Sequence, residues 1–191
     1  SHARFAERSD RLIRENEGLN NRVMNRTHVI AKTFDKICNI LTLLGYIEGE
    51  KLLPQGFILS KIYAESDLLL TESIRRGLFK DLAPAEILSV ASTMIFESRS
   101  QEDISPKIPN DNVASVLASI TRVWAELEEL EIEVGVKTQR SPDLGFCYMI
   151  FRWANGSTLN QVLKGSDMSV GDFVRSTKQL VDLLGQIANA A

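Results

Sequence analysis

The stretch VASVLASITRVWAELEELEIEV at residues 113–134 decides the fold class of this chain. Its apolar residues recur at three- and four-residue steps, which is the period of an amphipathic α-helix. One stripe of this helix holds Val113, Leu117, Ile120, Trp124 and Leu127. Elsewhere the sequence shows no sustained alternation of apolar and polar residues, and no Asn-Gly pair forms a hairpin between two apolar runs. Strands are therefore not predicted.

Helical periodicity continues on both sides of that stretch. Gly45 and Gly77 follow helix ends at the left-handed cap position, Pro84 lies in a first turn, and Ser157 is placed to cap a short helix. Further helices are predicted over residues 22–44, 57–63, 68–76, 81–97, 142–155, 157–163 and 170–190. Short helices joined by short turns predict an all-α fold, a helical bundle or orthogonal array of about seven to nine helices.

The chain divides into two predicted segments. Residues 1–20 are strongly charged and sparsely apolar, which predicts an exposed or docked helix interrupted by Gly18. Residues 21–191 form the helical domain proper. Within this domain, residues 98–112 contain Pro106 and Pro109 and predict a loop or crossover.

Composition restricts the possible functions. The 191 residues are 44% hydrophobic and 25% charged, which is typical of one globular domain. No apolar run is long enough to span a bilayer and no signal sequence opens the chain, so we expect a cytoplasmic protein without a membrane partner. The net charge of −3 disfavours a stand-alone nucleic-acid binder, which usually has a basic surplus. Contacts with nucleic acid are expected to be few and made within a larger assembly.

The sequence contains no recognisable catalytic, cofactor or metal site. The two histidines and two cysteines do not have zinc-ligand spacing, so a metal site would have to be built from carboxylates alone. Cys38 and Cys147 are expected to be buried free thiols. No phosphate-cradling glycine motif and no nucleophile elbow occurs. The glutamates at residues 126–133 do not share one helix face and predict a solvated acidic surface.

Several segments, taken together in this order and spacing, resemble the DSHCT domain of superkiller-type and exosome-associated DExH RNA helicases. They are FDKICNILTLLGY at 34–46, IYAESDLLLTE at 62–72, LAPAEI at 82–87, FE at 96–97, WANG at 153–156 and GDFVR at 171–175. The resemblance covers about residue 27 to the end. The forms ESDLL, PDLGF and GDFVR look most like the actinobacterial HelY-type branch.

The resemblance implies a non-catalytic C-terminal domain of an ATP-dependent superfamily 2 RNA helicase. ATP and Mg²⁺, and with them the ATP-binding and hydrolase functions, would belong to motor domains of the same chain that lie outside this sequence. In such helicases the domain packs on the motor domains and closes a channel for single-stranded RNA. One helix, called the ratchet helix, lines that channel, and the last predicted helix here is similar to it.

The last helix has the two faces that this role requires. One face is predicted to hold Phe173, Thr177, Leu180, Val181, Leu184, Ile187 and Ala188. The opposite face holds Arg175, Gln179, Asp182 and Gln186, which are the predicted nucleic-acid contacts. The simpler interpretation is that this polar face is the solvent-exposed side of a bundle helix. Trp153 could stack on a base but is more typical of a core residue, and Arg152 and Lys164 could equally be ordinary surface charges.

A second hypothesis is a helical protein-docking module that recruits RNA-decay partners. The charged N-terminal segment and the acidic glutamates at residues 126–133 would then make the contacts. A third hypothesis, an unrelated all-α enzyme, is disfavoured because no paired catalytic groups occur.

Overall fold

The computed structural model describes residues 2–98 and 106–190. This part of the chain contains eight α-helices, one 3-10 helix at Leu144–Phe146, and one hairpin of two short strands. The α-helices are α1 (His2–Leu43), α2 (Pro54–Leu59), α3 (Asp67–Arg75), α4 (Pro84–Ser92), α5 (Asp111–Val134), α6 (Cys147–Ala154), α7 (Leu159–Leu163) and α8 (Val170–Ala190). The predicted all-α class and the number of helices are confirmed.

Helix α1 is one continuous helix of 42 residues. The predicted interruption at Gly18 and the predicted helix start at residue 22 are therefore wrong. Glycine costs a helix interior only about 1 kcal/mol, which is too little to break a long helix that its neighbours propagate. The division into a segment of residues 1–20 and a domain of residues 21–191 stays a prediction.

A small hairpin follows α1 and was not predicted. Strands β1 (Ile47–Glu48) and β2 (Lys51–Leu52) pair antiparallel, with Ile47 opposite Leu52. The turn uses Gly49 at φ 59°, a conformation that L side chains rarely adopt. Strands of two residues are too short to show a period of two, so no sequence pattern could have indicated them.

The core consists of two neighbouring hydrophobic clusters. The first joins the end of α1 with α3 and α5, and its fully buried members include Leu69 and Ile120. The second joins α6 with α8 and includes Ile150 and Phe173. Helix α4 belongs to both, since it contacts α5, α6 and α8. The last helix is thus held on one side by the main core of the domain.

Capping residues explain where α5 begins and ends and where α7 begins. The Asn110 side chain accepts a hydrogen bond from the Val113 amide (2.9 Å), and Gly135 at φ 74° ends α5 in the left-handed conformation. At α7 the cap is Thr158, so the predicted cap at Ser157 is wrong. The Gln161 side chain returns to accept from the Thr158 amide at 2.9 Å, which completes a capping box.

Candidate nucleic-acid interface on the last helix

Helix α8 turns a narrower apolar face to the core than its sequence predicts. Phe173 and Leu180 are buried as predicted, and Leu183, which the prediction left out, is also buried. The assignment of Val181 to this face is wrong, because 59% of the residue is exposed. Ala188 is exposed as well. Successive residues lie 100° apart on a helix, so a face centred on Leu180 and Leu183 leaves their neighbour Val181 outside it.

The first three residues of the predicted polar stripe are open to solvent. Gln179 and Asp182 are exposed, and the Arg175 side chain is 65% exposed. An Arg175 guanidinium nitrogen lies 3.3 Å from a carboxylate oxygen of Asp172, one turn earlier. Such exposed pairs contribute little to stability, but they restrict where the guanidinium points. The arrangement leaves Arg175 able to reach an anion in the surrounding solvent.

The last residue of the stripe, Gln186, has a structural role in this fold. The Gln186 side-chain oxygen accepts a hydrogen bond from the Tyr63 amide at 2.7 Å. Its side-chain nitrogen donates to a carboxylate oxygen of Asp182 at 2.9 Å. Gln186 is accordingly half-buried and holds the segment between α2 and α3 against α8. The four predicted contacts thus form one row, of which the last member is engaged by the protein itself.

The three other candidate strand contacts lie near the start of α8 or on α6. Trp153 is 40% exposed, and its ring packs edge-on against Phe173 with centroids 6.2 Å apart. Arg152 donates to the Gln161 carbonyl at 3.0 Å and so ties α6 to α7. Lys164 is exposed. Trp153 combines a packed edge with an accessible part, which a purely core tryptophan would not have.

A buried polar network was missed by sequence reasoning. Glu72 is fully buried on α3, and its carboxylate accepts a hydrogen bond from the Tyr46 hydroxyl at 2.6 Å. The second carboxylate oxygen accepts from Arg75 at 2.8 Å and lies 3.4 Å from Arg76. Burial, and then the bond to Glu72, raise the pKa of Tyr46 well above its ordinary value. The network fixes the residue that follows α1 to α3.

The acidic surface predicted at residues 126–133 is wrong for one member. Glu131 is only 2% exposed, and its carboxylate accepts hydrogen bonds from the Thr138 hydroxyl and from the amides of Thr138 and Gln139. This glutamate stabilises the loop after α5. Glu126 is exposed but bound to Arg76 at 2.7 Å, and this contact lowers the pKa of Glu126.

The expectation of two buried thiols holds for only one cysteine. Cys147 is fully buried beside the Ser89 hydroxyl, and burial raises the pKa of its thiol. Cys38 is half-buried. Among the side chains that the structure describes, no group of three or more His, Cys, Asp or Glu is placed to hold a metal ion. None of the helices described in residues 2–98 and 106–190 is long and apolar enough to cross a membrane.

Comparison with known proteins gives the family. The sequence pattern of the DSHCT (NUC185) domain matches residues 49–191. The chain belongs to the DSHCT domain family. The pattern leaves out FDKICNILTLLGY at 34–46, so this DSHCT domain is matched from β2 and the preceding turn onward, with all of α2 to α8. The stripe on α8 and the Tyr63 segment both lie inside the matched region.

Curated relatives of this DSHCT domain include proteins named as helicases. The probable helicase HelY of Mycobacterium tuberculosis is 34% identical over 98% of this chain, and that of Mycobacterium leprae is 35% identical over 97%. The ATP-dependent RNA helicase mtr4 of Schizosaccharomyces pombe is 24% identical over 80%. The predicted likeness to the HelY-type branch is confirmed. This chain spans 22% of the length of each HelY relative and 14% of that of mtr4.

Proposed function

We propose that this DSHCT domain is the non-catalytic C-terminal part of an ATP-dependent RNA helicase, and that α8 guides single-stranded RNA along its open face. ATP and Mg²⁺ would act in motor domains of the same chain, on which this domain packs. The observation that carries the proposal is the row formed by Arg175, Gln179 and Asp182. It lies on a helix whose other face is held by the core.

The chemistry of the row suits a strand that passes along it. A guanidinium binds phosphate oxygens, and an amide can donate to or accept from base edges. Residues 175, 179 and 182 lie within two helical turns, a span of roughly 10 Å, which is close to the reach of two nucleotides. Asp182 is repelled by phosphate and is therefore assigned to donors on a base or sugar.

Titration of a fluorescent single-stranded RNA with this chain at low salt tests the role of Arg175. We expect weak, salt-sensitive binding that Arg175→Glu removes and Arg175→Ala weakens. Removal of one phosphate-binding cation should reduce the slope of log affinity against log salt by about 0.7. Arg122→Glu on α5 makes the same charge reversal on another exposed residue and should leave binding unchanged.

The control decides how the result is interpreted. Equal losses from Arg175→Glu and Arg122→Glu would mean that overall charge, and not α8, governs binding. Equal binding by the unaltered chain and by Arg175→Glu would contradict the assignment of Arg175. No binding by the unaltered chain would contradict strand binding by this domain alone.

A second candidate, a docking module for RNA-decay proteins, is favoured by a different observation. Helix α1 exposes a row of large apolar side chains before it reaches the core, namely Leu19, Val23, Ile30 and Phe34. Rows of this kind mark protein-binding surfaces more often than nucleic-acid contacts. Pull-down of RNA-decay proteins with the unaltered chain and with an Ile30→Ser, Phe34→Ser variant would separate this candidate from RNA guidance, which those changes should not affect.

A further inference from the structure

A residue with an exposed aromatic ring is bonded through its backbone to Gln186, the last residue of the polar row on α8. Tyr63 is 80% exposed, more than any other large apolar side chain of the described residues. It belongs to the segment between α2 and α3, which no strand-binding prediction included. Single exposed aromatics are common on protein surfaces, so exposure alone assigns nothing to Tyr63. Its attachment to α8 is what distinguishes it.

The backbone that presents this ring is held at Tyr63 and at the two residues before it. The Tyr63 amide donates to the Gln186 side chain at 2.7 Å, and the Lys61 ammonium donates to the Asn189 carbonyl at 3.1 Å. Between these two residues, Ile62 is only 3% exposed and lies in the main core cluster. A ring on such an anchored backbone loses little conformational freedom when a ligand packs on it.

The same contacts attach the Tyr63 backbone to the predicted strand contacts. The Gln186 side chain bonds both the Tyr63 amide and the Asp182 carboxylate, so the residue that bears the exposed ring is joined to the polar row. Arg175 lies 11 residues earlier on α8, which is about 16 Å along the helix axis. Lys61, two residues before Tyr63, adds an exposed side chain whose ammonium lies at Asn189 on the same helix. Aromatic faces next to cations are the usual means of holding single strands without sequence preference.

We infer that Tyr63 stacks on a base of single-stranded RNA, at the end of the path that begins at Arg175. This inference rests on the proposed function and adds a base-binding position to it. Lys61 neutralises a phosphate of the same nucleotide or its neighbour. Because every base has an aromatic face, this contact holds the strand without reading its sequence.

The test pairs a change in the protein with a change in the RNA. A fluorescent 12-nucleotide oligouridine and the same strand with abasic residues are titrated with the unaltered chain, Tyr63→Ala and Tyr63→Phe. We expect Tyr63→Ala to weaken binding of the base-containing strand about tenfold and to leave binding of the abasic strand unchanged. Tyr63→Phe keeps the ring and should bind as the unaltered chain does.

Controls separate this inference from the function on which it rests. Phe34→Ala removes another exposed ring, on α1, and should change neither affinity, and circular dichroism verifies that each variant is folded. An equal loss on both strands, or no loss on either, with binding still sensitive to Arg175→Glu, overturns the Tyr63 contact and leaves the proposed function standing. Absence of binding by the unaltered chain overturns both.

Discussion

The two parts of α1 carry the same apolar periodicity and have opposite surroundings. Near its end, Ile40 is buried at 3% exposure and belongs to the main core. Before that point, Ile30 and Phe34 are 69% and 64% exposed. The pattern specifies a helix with an apolar side in both parts. It does not specify which element covers that side, because the cover comes from residues distant in sequence.

The largest expected difference between the two parts of α1 comes from truncating one isoleucine side chain in each. Ile40→Ala should lower the free energy of unfolding by about 3 kcal/mol, because it leaves a cavity in a packed core. Ile30→Ala removes a side chain that is already in solvent and should change it by less than about 0.5 kcal/mol. Urea unfolding followed by circular dichroism measures both. A similar loss from both substitutions would show that the early part of α1 is covered in solution.

Substitution of two glycines by alanine is expected to change the stability of the domain in opposite directions. A methyl group at Gly56 would collide with the Tyr46 carbonyl oxygen, so Gly56→Ala should destabilise the domain by about 2 kcal/mol. At Gly18 nothing lies within 4 Å of the added carbon, and Gly18→Ala should stabilise α1 by up to about 1 kcal/mol. Thermal melts of the two variants check the signs. Destabilisation by Gly18→Ala would contradict the open surroundings of this part of the helix.

A smaller effect tests the hydrogen bond between Tyr46, which follows α1, and Glu72. Tyr46→Phe removes the hydroxyl that donates to Glu72 and should cost about 1.5 kcal/mol at neutral pH. Burial raises the pKa of Tyr46 above its ordinary value of 10.0, so the unfolded chain loses this proton first as the pH rises. The stabilisation is therefore complete below about pH 10 and falls above it, by up to about 1.4 kcal/mol per pH unit.

Urea unfolding at pH 8 and at pH 11 measures that dependence. The stability difference between the unaltered chain and Tyr46→Phe should shrink as the pH rises. Tyr63→Phe is the matched control, because Tyr63 is exposed and its substitution should matter at neither pH. A difference that stays constant with pH would contradict the assigned environment of Tyr46.

The fold was predictable wherever local periodicity and helix caps agree. Helix α8 has its predicted bounds, and α5 begins two residues before its predicted start because Asn110 caps it. The burial of Glu131 was not predictable, since the groups that compensate its charge belong to a loop seven and eight residues later. A carboxylate in a charged stretch indicates a surface until such donors are seen.

The candidate site was likewise predictable only in part. The sequence and the resemblance pointed to α8 and to Arg175, which the structure leaves accessible. They did not indicate that Gln186 is held by the Tyr63 amide, because this contact joins residues 123 positions apart. Tyr63 itself carries no sequence signal: one aromatic residue in a short loop has no period and no motif.

The length of α1 has a mechanical consequence. The helix is fastened near its end, where the Lys36 ammonium donates to the Gly135 carbonyl and Ile40 enters the core. From Lys36 back to its first residue, the helix extends about 50 Å. A rigid helix held in this way would act as a lever with its pivot in the domain. A tilt of only about 5° at the pivot would displace the far end by about 4 Å, so a slight repacking between α1 and α5 would suffice for a movement of several ångströms at a distance.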